Sequence, residues 1–218
     1  MSDVSCLLAG LTRLLFPILL LFLWRRKTGA LLYPALVAFL VTVPVFIIAG
    51  GIRSGFRQDD IVLYHLQVGL LFGIFEEGGK YLAMRFALDA YDNRKDAVTY
   101  GIGHGIWEEL GAGLNCIGLI GTGNAAPDIF PVNLFFAVFG AADTIALTVL
   151  IFYGIRTGRS KIMLPAAILL HALSNAVNGL FSFSAPIIAG FSVLLTAGMG
   201  YAAYRCWQAM RNPFEEEL

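Results

Sequence analysis

Apolar residues run along this chain in long blocks, broken by short clusters of charged and turn-forming residues. A block of about 20 apolar residues crosses a bilayer as a helix. Seven such blocks are predicted, at about 4–24, 29–50, 61–86, 97–121, 131–154, 162–182 and 185–206. None alternates with the period of two that a membrane β-strand shows. The pattern therefore predicts an all-α, polytopic transmembrane helical bundle of about seven spans, forming one integral membrane domain over residues 1–218. Composition agrees: 58% of residues are hydrophobic and 14% charged, against about 25% charged in soluble domains. A formal net charge of zero offers nucleic acid no basic face. The three cysteines, Cys6, Cys116 and Cys206, lie in apolar runs without metal-ligand spacing and imply no disulfide framework.

The breaks between blocks carry the orientation signal. The connectors after spans one, three and five hold Arg25, Arg26, Lys27, Arg94, Lys95, Arg156, Arg159 and Lys161; the even connectors hold only Arg53 and Arg57. Cytoplasmic loops carry the Lys/Arg excess. The N-terminus is thus expected outside a cell membrane, with the C-terminal tail, including Arg205, Arg211 and Glu215-Glu216-Glu217, in the cytoplasm. Arg13, inside span one, is expected to snorkel to the outer interface.

Polar residues inside the blocks are the candidate chemistry. A charge near the bilayer centre costs about 2.5–3.5 kcal/mol even on the lenient insertion scale. Glu76 and Glu77 interrupt span three, His104 falls in span four and His171 in span six. At 1.5 Å per residue all lie roughly 10–15 Å below the cytoplasmic surface. Glu76 and Glu77 point about 100° apart on their helix, so one is free for chemistry while a Glu77–Lys80 pair, three residues apart, is the expected structural use of the other. His104 and Glu108 share a stripe, four residues apart, and are spaced to hold an ion together. His171 and Asn175 likewise share a face and offer paired hydrogen-bond donors to an oxyanion; Asn175 serves equally well as a bond between helices. Asp143 in span five has no partner on its own helix and is expected either to support the site or to pair with Arg13 or Lys80. His65 is expected at the outer interface.

Three elements in order, Glu76-Glu77-Gly78-Gly79-Lys80, Tyr100-Gly101-Ile102-Gly103-His104 and His171-Ala172-Leu173-Ser174-Asn175, resemble the motifs of the glutamic-type intramembrane protease superfamily. That group includes the type II CAAX prenyl endopeptidases, the bacteriocin-processing CPBP proteins and the PrsW-like proteases. The Glu-Glu-x-x-Lys form and the Gly-Ile-Gly-His run look most like the YhfC branch. The resemblance covers about residues 70–180 and departs from the CAAX enzymes in placing its basic residue at Lys80, with Tyr81 where they have arginine.

The resemblance implies an intramembrane endopeptidase acting on a membrane-embedded or membrane-adjacent peptide or protein. Glu76 would act as general base on water, His104 would polarise that water, and His171 and Asn175 would serve as oxyanion donors, with Glu77, Lys80, Glu108 and Asp143 in support. This favoured mechanism requires no cofactor. A zinc mechanism stays open beside it, because two histidines and a glutamate, here Glu76, His104 and His171, are a catalytic zinc set. Two other classes use the same polar cluster: a proton-coupled transporter, whose repeated halves are not evident here, and a non-catalytic membrane scaffold.

Overall fold

The computed structural model describes residues 2–124, 126, 128–181 and 184–211; Glu215-Glu216-Glu217 lie outside them. Among the described residues the chain forms seven α-helices: α1 (Ser2–Thr28), α2 (Tyr33–Arg53), α3 (Ile61–Leu82), α4 (Arg94–Gly118), α5 (Ile129–Arg156), α6 (Ser160–Leu180) and α7 (Ala185–Ala209). No strand occurs among the described residues. Helix starts follow local chemistry. Pro34 occupies the first turn of α2, where its missing N–H costs nothing. Asp60 caps α3 by accepting from the Val62 and Leu63 amides, and Asn93 caps α4 by accepting from Lys95. A single π-helical turn, Ala83–Ala87, finishes α3 just beyond Lys80.

Six of the seven helices are long and apolar enough to cross a membrane. The one left out is α4, which carries Asp96, His104, Glu108 and Glu109. Its polarity has a structural counterpart: α4 packs on α1, α2 and α5, and 12 of its residues are buried. No residue of 94–110 is exposed, although Leu114 further along is, so protein rather than lipid surrounds the polar groups of that stretch and they can find partners. Conversely, Leu15, Leu19, Phe22, Leu40, Ile47, Leu70 and Leu194 stand exposed on the outside of the bundle. Such a surface would drive aggregation in water and suits a hydrocarbon solvent. The chain is a multi-pass membrane protein.

Close approach of backbones places the site. Gly69 and Gly73, one turn apart on α3, face α6 so tightly that a methyl on Gly69 would lie 2.5 Å from the Ala172 carbonyl oxygen, and one on Gly73 2.7 Å from that of Ile168. Small residues four apart let membrane helices meet in this way. The contact carries Glu76 and Glu77, one turn further along α3, to His171. On α4, Gly103 lies against the backbone of Ala35 in α2, setting the next residue, His104, beside α2.

The charged connectors gather at one end of the bundle. Lys95 donates to the Thr28 carbonyl (3.2 Å), Arg94 stacks over Trp207 (4.8 Å), and Arg156 donates to the Tyr91 carbonyl (2.6 Å). Arg13 does not snorkel as expected. It turns into the bundle, 12% exposed, and pairs with Glu109 at 2.6 Å while also donating to Asn133 (2.9 Å). A buried carboxylate on α4 offers that guanidinium a fixed partner, which the interface would not.

Candidate metal centre and active site

Four helices contribute to one buried cluster. Glu76, at 3% exposure, presents Oε2 at 3.1 Å from His104 Nε2 and 3.9 Å from His171 Nε2. Glu108 brings Oε1 to 3.4 Å from His104 Nε2. Its other oxygen accepts from the Thr144 hydroxyl (3.0 Å). Glu76, Glu108 and His104 each offer an atom within 4.8 Å of the other two.

Both histidines are anchored from behind. Thr42 on α2 donates its hydroxyl proton to the Ala38 carbonyl (2.7 Å). Its oxygen can then only accept from His104 Nδ1, 2.7 Å away. His171 Nδ1 lies 2.6 Å from Glu77 Oε1, and a carboxylate oxygen accepts, so Nδ1 carries the proton there too. The same Glu77 oxygen accepts from Lys80 Nζ (2.7 Å). In the neutral form that a metal ligand requires, each imidazole has one proton, and both Nε2 atoms then turn a lone pair toward Glu76 Oε2.

This arrangement fits a cation. In that form, lone pairs and carboxylate oxygens converge on one point. Metal-ligating histidines almost always donate their second N–H to a carboxylate or other acceptor, which fixes the tautomer, and Glu77 and Thr42 are placed for that work. With bonds of about 2.0–2.1 Å, two ligand atoms of a tetrahedral zinc stand about 3.3 Å apart. His104 Nε2 lies 3.1 Å from Glu76 and 3.4 Å from Glu108, which bracket that value, while His171 Nε2 stands wider, 3.9 Å from Glu76.

The family comparison decides the class. The model of the YhfC intramembrane metalloprotease family matches residues 12–126, more than half of the chain. The chain belongs to the YhfC intramembrane metalloprotease family. It is also 29% identical over 211 residues, covering 77% of this chain and 80% of the relative, to the "Uncharacterized membrane protein YhfC" of Bacillus subtilis (strain 168). No solved structure matches. YhfC membership gives intramembrane proteolysis as the general activity and associates the family with a metal.

Of the residues singled out in the sequence, the structure gathers Glu76, Glu77, Lys80, His104, Glu108 and His171 into this YhfC cluster. The tightest trio contains Glu108 rather than His171, whereas the sequence named Glu76, His104 and His171 as the ligand set. Asn175, one turn past His171, makes no side-chain hydrogen bond among the described residues. It lines two cavities that meet the cluster, of about 180 and 330 Å³. Asp143 pairs with neither Arg13 nor Lys80, whose partners are Glu109 and Glu77. It accepts instead from the Thr196 hydroxyl (2.5 Å). His65 stays apart, packed under Gly179. Thr42 was not singled out from the sequence. A threonine bonding back to the carbonyl four residues earlier is ordinary in helices, and nothing local marks its second partner.

Thr42→Val keeps the shape and removes the acceptor from His104 Nδ1. The expected result is a loss of about 10–100-fold in metal affinity or activity, measured by metal titration of the folded protein in detergent. An unchanged affinity would show that Thr42 merely packs.

Proposed function

We propose that this protein is a zinc-type intramembrane endopeptidase in which Glu76, His104 and His171 bind the metal and Glu108 handles the proton. The observation that carries this reading is the shared orientation of the two histidines, each tied at Nδ1 and each aiming Nε2 at Glu76 Oε2. A nitrogen–oxygen donor set of this kind suits zinc. When bound, the cation would supply Lewis acidity, lowering the pKa of water and polarising a carbonyl.

The chain's residues do the remainder. Glu108 is the least enclosed carboxylate of the cluster, with a side chain 26% exposed, and it lines both cavities. It can therefore meet water and substrate, which the 3% exposed Glu76 cannot do as readily. Glu108 Oε1 takes a proton as water attacks the scissile carbonyl carbon, then returns it to the amine nitrogen as the C–N bond breaks. Asn175 Nδ2 donates to the oxyanion formed on the substrate. Thr144 holds Glu108 in place, and Glu77 and Lys80 hold His171. The cavity of about 330 Å³, lined by Arg53, Phe72, Glu76 and Glu108 among others, supplies the route for water. Following the Lys/Arg bias, the N-terminus stands outside and the substrate is a membrane peptide or protein. The chain's YhfC membership favours this class over the transporter and scaffold readings.

This assignment moves Glu76 from base to ligand, relative to the metal-free mechanism that the motif resemblance implies. Metal content and cleavage before and after chelation decide between them. Membranes expressing wild type or Glu76→Gln supply candidate substrates, identified by comparing their peptide termini. Activity lost on chelation and restored by zinc is the expected result. Full activity in protein shown to be metal-free would establish glutamate chemistry instead.

A further inference from the structure

The cavity of about 180 Å³ begins at Glu108 and His171 and extends between α5, α6 and α7. Its volume is comparable to an engineered cavity of about 150 Å³ that holds benzene, so it has room for one side chain. Its walls are unusually polar for the interior of a membrane bundle: Asp143, Thr144, Ser174, Asn178 and Ser192 all line it. The buried Asn178 Oδ1 has no hydrogen-bond partner among the described residues. Helices α6 and α7 scarcely touch, and both contribute walls to the cavity.

Asp143 is the acid of this cavity outside the cluster. One of its oxygens accepts from Thr196 (2.5 Å); the other makes no hydrogen bond among the described residues. No Lys or Arg forms an ion pair with Asp143 among the described residues, since Arg13 and Lys80 are engaged elsewhere. Acids within membrane bundles pair with cations or mark substrate paths. A carboxylate with free acceptor capacity, facing a side-chain-sized space that adjoins the candidate catalytic groups, is built to receive a cation from outside the chain.

We propose that this cavity is a specificity pocket for a positively charged side chain, a lysine or arginine close to the scissile bond of the membrane peptide, with Asp143 as its counter-ion. The inference rests on the protease reading and adds a substrate class to it. Thr196 fixes Asp143 and ties α5 to α7; Asn178 and Ser192 supply acceptors for the remaining N–H groups of the cation.

The test uses the full-length, zinc-supplemented protein in vesicles and N-acetylated membrane-spanning peptides with one randomised position, so that the ammonium and guanidinium groups varied are side chains. Sequencing of products is expected to show Lys or Arg enriched at a fixed distance from the cut. Asp143→Asn retains an acceptor for Thr196 and should reduce the ratio of basic to neutral peptides cleaved by about thirtyfold or more. Asp143→Ser, as a second variant, should do the same, and Asp143→Lys should favour acidic peptides. No basic enrichment in the wild type, or an equal decline for all peptides in Asp143→Asn, would overturn the proposal and leave Asp143 a structural tie. If the wild type cleaves none of the peptides, the protease reading fails separately. Retention of the same peptides on immobilised Glu76→Gln protein then decides: a basic preference abolished by adding Asp143→Asn upholds the pocket, and equal retention refutes it.

Discussion

Glu76→Gln should remove bound metal and proteolysis together, whereas Glu108→Gln should keep the metal and lose turnover by about 10²–10⁴-fold. The difference follows from position. Glu76 Oε2 lies between the two Nε2 atoms, at 3.1 and 3.9 Å, and an amide there replaces a charged ligand with a weak neutral one. Glu108 is held by Thr144 and opens onto both cavities, so its substitution removes a proton acceptor while leaving both histidines anchored. Metal content by mass spectrometry, with cleavage per folded molecule, reads the two effects separately. If Glu108→Gln lost the metal and Glu76→Gln retained it, the roles would exchange. If neither variant changed metal content, the site would not be a metal centre.

The largest effect on stability is expected at Lys80. Its ammonium is 1% exposed and pairs with a Glu77 carboxylate that is fully buried. Such a pair is expensive to desolvate and adds little over an apolar replacement, but removing one partner strands the other charge at a cost of about 3–5 kcal/mol. Lys80→Met should therefore destabilise the folded bundle by about that amount in detergent denaturation. His171 continues to donate to Glu77 in that variant, yet Glu77 Oε2 already lacks a partner among the described residues and cannot share the burden. The double variant Glu77→Gln/Lys80→Met should recover most of the stability without full activity, since a neutral amide holds the His171 Nδ1–H less strongly than the carboxylate does. A Lys80→Met protein as stable as wild type would mean that the ammonium is not charged in the folded state.

Helical geometry made part of the site readable without a structure. Glu77 and Lys80 are three residues apart, and His104 and Glu108 four; the α-helix alone brings such pairs together, and they meet in the bundle at 2.7 and 3.4 Å. The length of the apolar blocks fixed the number of helices, because bilayer thickness sets how much chain a span needs. The depth of Glu76, His104 and His171 could be compared because the rise per residue is constant. These properties depend only on sequence separation along one helix or across one membrane.

Partners on different helices depend on which faces meet and at what rotation, and that was decided by packing. Arg13 was expected at an interface and pairs instead with Glu109, 96 residues away. Asp143 was expected either to support the site or to pair with Arg13 or Lys80; it accepts from Thr196 on α7 and lines a cavity with Glu108 and His171. Thr42 carries no sequence signal for its role behind His104. The small faces of Gly69 and Gly73 against α6, and of Gly103 against α2, let the backbones close to contact distance. Residue spacing fixes where a side chain sits along its own helix; the shape of the facing helix fixes what it touches. The sequence thus determined which polar groups fall within apolar helices and how far along each helix they sit, while the tertiary structure alone decided which of them meet in one cluster or line one pocket.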